Sequence, residues 1–138
     1  MSAIGSRPGG PARTVVLCDD RAEMRRSVRS ALSTLSTLDV VAEAWDVTSC
    51  GEAVHHLRPD LVVFDVNIPG GGVAAARLVK SIRRATLIVA YSGRHERHIR
   101  EEMLGAGAGE YVLKTGRIGP LLAAVTRLTA PPVFAFPT

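Results

Sequence analysis

Three short, unbroken apolar runs constrain this chain most: Val15-Val16-Leu17-Cys18, Leu61-Val62-Val63-Phe64 and Leu87-Ile88-Val89-Ala90-Tyr91. None alternates with polar residues. Each therefore reads as a strand buried on both faces, the habit of a parallel sheet. Val40-Val41-Ala42 and Tyr111-Val112-Leu113 add two shorter candidates. Between the runs the apolar spacing becomes helical. Met24, Val28, Ala31, Leu32 and Leu35 share one helical face, as do Ala75, Leu78, Val79 and Ile82. Ile99, Met103 and Ala106 mark a further helix, and Leu121, Val125 and Leu128 the last. A short helix over Glu52–Leu57 is expected to end at Arg58-Pro59. Pro120 suits a first helical turn, and Gly105 with Gly107 suits a helix end. Five βα units predict an α/β fold: a doubly wound parallel sheet covered by helices on both faces.

Composition agrees with one such domain. The 138 residues are 46% hydrophobic and 22% charged, enough apolar material for a real core. No apolar run approaches the roughly 18–20 residues of a membrane span. Met1 to Arg13 is rich in Gly, Pro and Arg and lacks the apolar core of a secretory signal. Cys18 and Cys50 lie in or near apolar segments and read as core residues in a reducing, cytoplasmic setting. Residues 1–13 are expected to form a tail, 14–128 the domain, and 129–138 a second tail or linker. The formal charge of +4 is uneven. All six aspartates lie in the first half, and Arg77, Arg83, Arg84, Arg94, Arg97 and Arg100 crowd the second. With no aromatic platform or reading helix beside them, these arginines read as a partner-facing or solvated surface. Direct nucleic-acid binding by this chain is not expected. Trp45 and Tyr91 read as packing residues.

In a parallel α/β sheet the ligand site lies beyond the carboxyl ends of the strands. The first strand ends in Asp19-Asp20, the third in Asp65, the fourth in Ser92 and the fifth in Lys114. Carboxylates gathered at one edge repel unless a counter-charge joins them. Oxygen-only ligands favour Mg²⁺ or Mn²⁺ over zinc. A carboxylate is also a nucleophile toward phosphoryl groups. Asp65 would be that nucleophile, with the metal, the Lys114 ammonium and the Ser92 hydroxyl neutralising the phosphoryl oxygens.

These stretches resemble the receiver domain of two-component response regulators. The matching segments are Val15 to Asp20, Pro59 to Gly70, Ile88 to Gly93 and Gly107 to Lys114. The resemblance covers roughly residues 13–128. It implies a flavodoxin-like (βα)5 sheet of strand order 2-1-3-4-5. It implies phosphorylation of Asp65 by a sensor histidine kinase. Asp19, Asp20 and Asp65 would hold Mg²⁺, with the backbone carbonyl of Asn67. Ser92 and Tyr111 would be the pair that repositions on phosphorylation, and Lys114 would complete the catalytic group with Asp65 and Ser92. Such a chain is a phosphoacceptor switch more than an enzyme, and a homodimer is compatible with it. Lys114-Thr115 replaces the family's frequent Lys-Pro, as is common in the branch with helix-turn-helix outputs. No output segment follows residue 128, so the chain reads as a stand-alone receiver or as one cut from a longer regulator.

Rival readings attach to the same residues. Asp20 with Glu23 forms a capping-box pattern. Ser92 alone suits a helix cap, and Lys114 alone a solvated lysine. His95 and His98 have ligand spacing but no third ligand in view. Gly70-Gly71-Gly72 predicts a loose loop after Asp65. That loop sustains an alternative, a pseudo-receiver acting as an interaction or dimerisation module. A small flavin or nucleotide binder is a further rival, weakened by acidic residues where a phosphate loop should be.

Overall fold

The computed structural model describes residues 11–130. Most of the two expected tails, residues 1–10 and 131–138, lies outside them. The elements alternate as expected: β1 (Arg13–Cys18), α1 (Ala22–Leu32), β2 (Leu38–Ala44), α2 (Val47–Leu57), β3 (Leu61–Phe64), α3 (Gly72–Ile82), β4 (Leu87–Ser92), α4 (Arg97–Gly105), β5 (Glu110–Leu113) and α5 (Gly119–Thr129). The five strands form one sheet in the order β2-β1-β3-β4-β5, and every pair is parallel. This is the flavodoxin-like order. Arg13, read from sequence as tail, opens β1 opposite Leu38.

The unbroken apolar runs are explained by the two-sided core. Val16, Cys18, Val62, Phe64, Ile88 and Ala90 face one cluster with buried residues of α2 and α3 and with Met103 of α4. Val15, Leu17, Leu61, Val63, Val89 and Tyr91 face the other, with residues of α1 and α5. Successive strand residues point to opposite faces, so a strand covered on both sides needs apolar residues throughout. Phe64 is 1% exposed, and its full burial is worth roughly 1.5–3 kcal/mol. Cys18 and Cys50 are core residues as expected. Among the described residues no helix is long and apolar enough to cross a membrane.

Three local expectations need correction. Helix α2 is longer than Glu52–Leu57 because Asp46 starts it early. Its carboxylate accepts the Ser49 N–H at 2.7 Å, and the Ser49 hydroxyl returns to the Asp46 backbone N–H at 3.1 Å. That reciprocal cap offsets the poor helix propensity of Thr48, Ser49 and Gly51. Trp45, expected to pack, is 54% exposed at the end of edge strand β2, while Tyr91 is buried. The Gly70–Gly72 segment is not loose. Val47, Gly71 and Gly72 donate to the carbonyls of Pro69, Ile68 and Val66. Gly70 takes φ 98°, and a Cβ on Gly72 would lie 2.8 Å from the Val66 Cα, so the glycines permit a tight turn.

Candidate phosphoacceptor site

The ladder of the sheet positions the site. Beyond the end of each strand one more backbone bond forms. Asp19 donates its N–H to Ala44, Asp65 to Cys18 and Lys114 to Ser92, at 3.1, 3.0 and 2.8 Å. The residues that follow β1, β3 and β5 are thereby fixed as firmly as strand residues. β1 and β3 are also the neighbours at which the strand order reverses, where a crevice opens in such sheets.

Asp19 and Asp65 are buried, with 6% and 7% exposure. The Lys114 ammonium joins them, 2.8 Å from Asp65 Oδ2 and 3.3 Å from Asp19 Oδ2. It also lies 5.4 Å from the Tyr91 ring centroid, within cation–π reach. The second oxygens are held by backbone. Asp65 Oδ1 accepts the Asn67 N–H at 2.9 Å, and Asp19 Oδ1 accepts the Arg21 N–H at 2.9 Å. Arg25 donates to the Asp19 carbonyl at 2.6 Å and is itself paired with Glu43 at 2.9 Å. Arg29 reaches the other Glu43 oxygen. Burial raises the Glu43 pKa, but the hydrogen bonds and charges of Arg25 and Arg29 outweigh it and leave the group below its ordinary value. This network ties the acidic loop to α1 and β2.

Ser92 is fully buried at the end of β4, and its Oγ accepts the Arg94 N–H at 3.0 Å. It does not cap α4, whose N-cap is Glu96. Tyr111 on β5 donates its hydroxyl proton to the Arg94 carbonyl. Ser92 and Tyr111 are thus linked through one loop residue. All described peptide bonds are trans, Lys114-Thr115 included.

Asp20 stands apart. It is exposed, and among the described residues its side chain makes no hydrogen bond or ion pair. Nor does it complete a capping box: the N-cap of α1 is Arg21, with no side-chain cap. Among the described residues no group of three His, Cys, Asp or Glu stands ready to hold a metal, His95 and His98 included. The pair Asp19 and Asp65 with the Asn67 backbone is nonetheless an oxygen-only donor set suited to a hard divalent cation. Its two buried carboxylates share one largely buried ammonium, so added positive charge is accommodated, and the exposed Asp20 adjoins Asp19 in the chain.

Sequence reading missed one participant. The Arg21 guanidinium lies 3.6 Å from Asp19 Oδ1 and 3.9 Å from Asp65 Oδ2. Its position directly after Asp19-Asp20 was the available signal.

Comparison with known proteins agrees with this geometry. The transcriptional regulatory protein NarL of Mycobacterium tuberculosis is 31% identical over 121 residues, 87% of this chain and 56% of that protein. A protein-glutamate methylesterase/protein-glutamine glutaminase of Nocardioides sp. is 31% identical over 112 residues, 79% of this chain and 31% of that protein. The chain therefore spans about half, or less, of these curated relatives. Among solved structures, the signal receiver domain of NarL from Mycobacterium tuberculosis superposes with a TM-score of 0.78 at 30% identity, covering 84% of this chain and 94% of that one. A LuxR-family two-component response regulator from Aurantimonas sp. gives 0.80 at 27%, covering 84% of each chain. The family model of the response regulator receiver domain matches residues 15–126. With its five-stranded order and its acidic strand-end site, this chain belongs to the response regulator receiver domain family.

Proposed function

We propose that this receiver accepts a phosphoryl group on Asp65 from a sensor histidine kinase and switches conformation in response. The observation that carries the reading is the Lys114 ammonium bridging Asp65 and Asp19 at 2.8 and 3.3 Å, at the sheet edge where β4 ends in the buried Ser92. An Asp65 oxygen forms the new O–P bond as the donor's N–P bond breaks. The leaving imidazole keeps the electron pair and takes up a proton. Lys114 and Ser92 supply positive charge and a hydrogen bond to the incoming phosphoryl oxygens. Asp19, Asp20, Asp65 and the Asn67 carbonyl would hold Mg²⁺ or Mn²⁺. When bound, that ion supplies counter-charge for the transferring group. Engagement of Ser92 would release its bond from Arg94, and Tyr111 shares that loop, so the α4–β5 surface would respond.

The unit doing this is residues 14–128, acting in the cytoplasm as a switch rather than an enzyme. The NarL and LuxR-family relatives support a transcriptional output, and the homodimer is the assembly such outputs favour. The test is incubation with acetyl phosphate and Mg²⁺, followed by intact-mass measurement. The expected result is one phosphoryl group on the wild type and none on Asp65→Asn. A chain that binds no Mg²⁺ and gains no mass would overturn the reading and favour a phosphorylation-independent interaction module.

A further inference from the structure

We infer that Arg21 is the resident counter-charge of the metal-free site and competes with the divalent cation for Asp19 and Asp65. The inference rests on the metal-dependent reading above and goes beyond it. The charges show why. Asp19 and Asp65 are both buried, yet among the described residues only one largely buried cation, Lys114, lies between them. The second positive charge is the Arg21 guanidinium, which touches both carboxylates at 3.6 and 3.9 Å. The two buried carboxylates thus meet two cations. A divalent ion at the same oxygens would contend with one of them.

Lys114 is poorly suited to leave. Its side chain is 13% exposed and held by a 2.8 Å bond, with the Tyr91 ring behind it. Arg21 is suited to leave. Its side chain is 50% exposed, and its contacts are ion pairs at the long end of the range. Its backbone is also fixed away from the carboxylates, its carbonyl accepting the Met24 and Arg25 N–H groups at 3.1 Å, so movement of the side chain leaves the loop in place. Nor does the guanidinium cap α1, although Arg21 is the N-cap residue. Its placement is explained by the two carboxylates alone. Arg21 is therefore a positioning residue that weakens metal affinity and keeps the carboxylates compatible when no metal is bound.

Calorimetric titration of MgCl₂ into wild type, Arg21→Ala and Arg21→Lys tests this without any phosphoryl transfer. Arg21→Ala should bind Mg²⁺ about 3- to 10-fold tighter at low salt, and about 1 M NaCl should shrink the gain. Arg21→Lys, which keeps the charge, should stay within about twofold of wild type. The same preparations followed by thermal unfolding should show Arg21→Ala less stable without Mg²⁺ and raised more by it. A merely structural arginine would lower stability without tightening the metal. Unchanged or weaker Mg²⁺ affinity in Arg21→Ala, with wild type binding normally, would overturn this inference alone. Absence of binding in the wild type would instead strike the function proposed above.

Discussion

The backbone N–H of Lys114 donates to the Ser92 carbonyl at 2.8 Å. One ladder bond thus ties the residue carrying the site's ammonium to the residue carrying its buried hydroxyl. Ser92 lies opposite Leu113, so Lys114 stands one residue further out along the same sheet edge. Shifting either strand by one residue would send its side chain to the opposite face. The precision of the site is therefore a property of register, and its stability can be probed group by group.

Removing the ammonium should be costly in the metal-free protein. Lys114→Ala leaves Asp19 and Asp65 with only the half-exposed Arg21. The expected loss is about 1–3 kcal/mol, below the value for a fully buried pair because the lysine keeps some solvent contact. Urea unfolding at neutral pH measures it, and Mg²⁺ should narrow the gap. An unchanged midpoint would mean that solvent already screens the two carboxylates.

The turn after Asp65 should not tolerate a side chain where α3 begins. In Gly72→Ala the new Cβ would meet the Val66 Cα at 2.8 Å and the Val66 carbonyl oxygen at 2.9 Å. Backbone atoms cannot rotate away, so the expected cost is about 1–3 kcal/mol. Equal denaturation midpoints for variant and wild type would show that the loop relaxes freely.

Tyr111→Phe deletes the bond to the Arg94 carbonyl and nothing else polar. Global stability should fall by no more than about 1 kcal/mol, the net worth of one such bond. Amide exchange in residues 93–96 should quicken, while that of β1 and β3 stays as it was. Uniform exchange rates across the chain would show that the hydroxyl does not hold this loop.

Glu43 should contribute to the acid limb of stability. Its folded pKa lies below the ordinary 4.5 because Arg25 and Arg29 outweigh burial. A depressed folded pKa gives stability that is present above the unfolded value and lost as pH falls through the folded one. Glu43→Gln should therefore reduce stability at neutral pH and flatten its decline below about pH 4.5. Parallel curves of unfolding free energy against pH for the two proteins would contradict this.

Much of the fold was legible because its signals are local. Val15 to Cys18 and Leu61 to Phe64 are apolar at every position, and only a strand covered on both faces needs that. Lys114, one of only two lysines in the chain, stood out at a strand end. Asp46 was less legible, because a cap made by its own side chain competes with the weak propensity of the residues it caps. Trp45 was misplaced because apolar size predicts burial only when a neighbouring element covers the position, and β2 is an edge strand.

The chain by itself determined the succession of strands and helices and which polar residues would stand at the strand ends. Hydrophobic periodicity is written residue by residue, so one sequence suffices to read it. Only the tertiary structure decided who meets whom. Lys114 reaches Asp65 across 49 residues and Asp19 across 95, separations that no local pattern encodes. It also separated two adjacent aspartates, burying Asp19 against the ammonium and leaving Asp20 exposed. And it turned Arg21 inward to the same carboxylates. Charge pairing at a sheet edge depends on strand order and register, and these are set by the packing of the whole sheet between its helices.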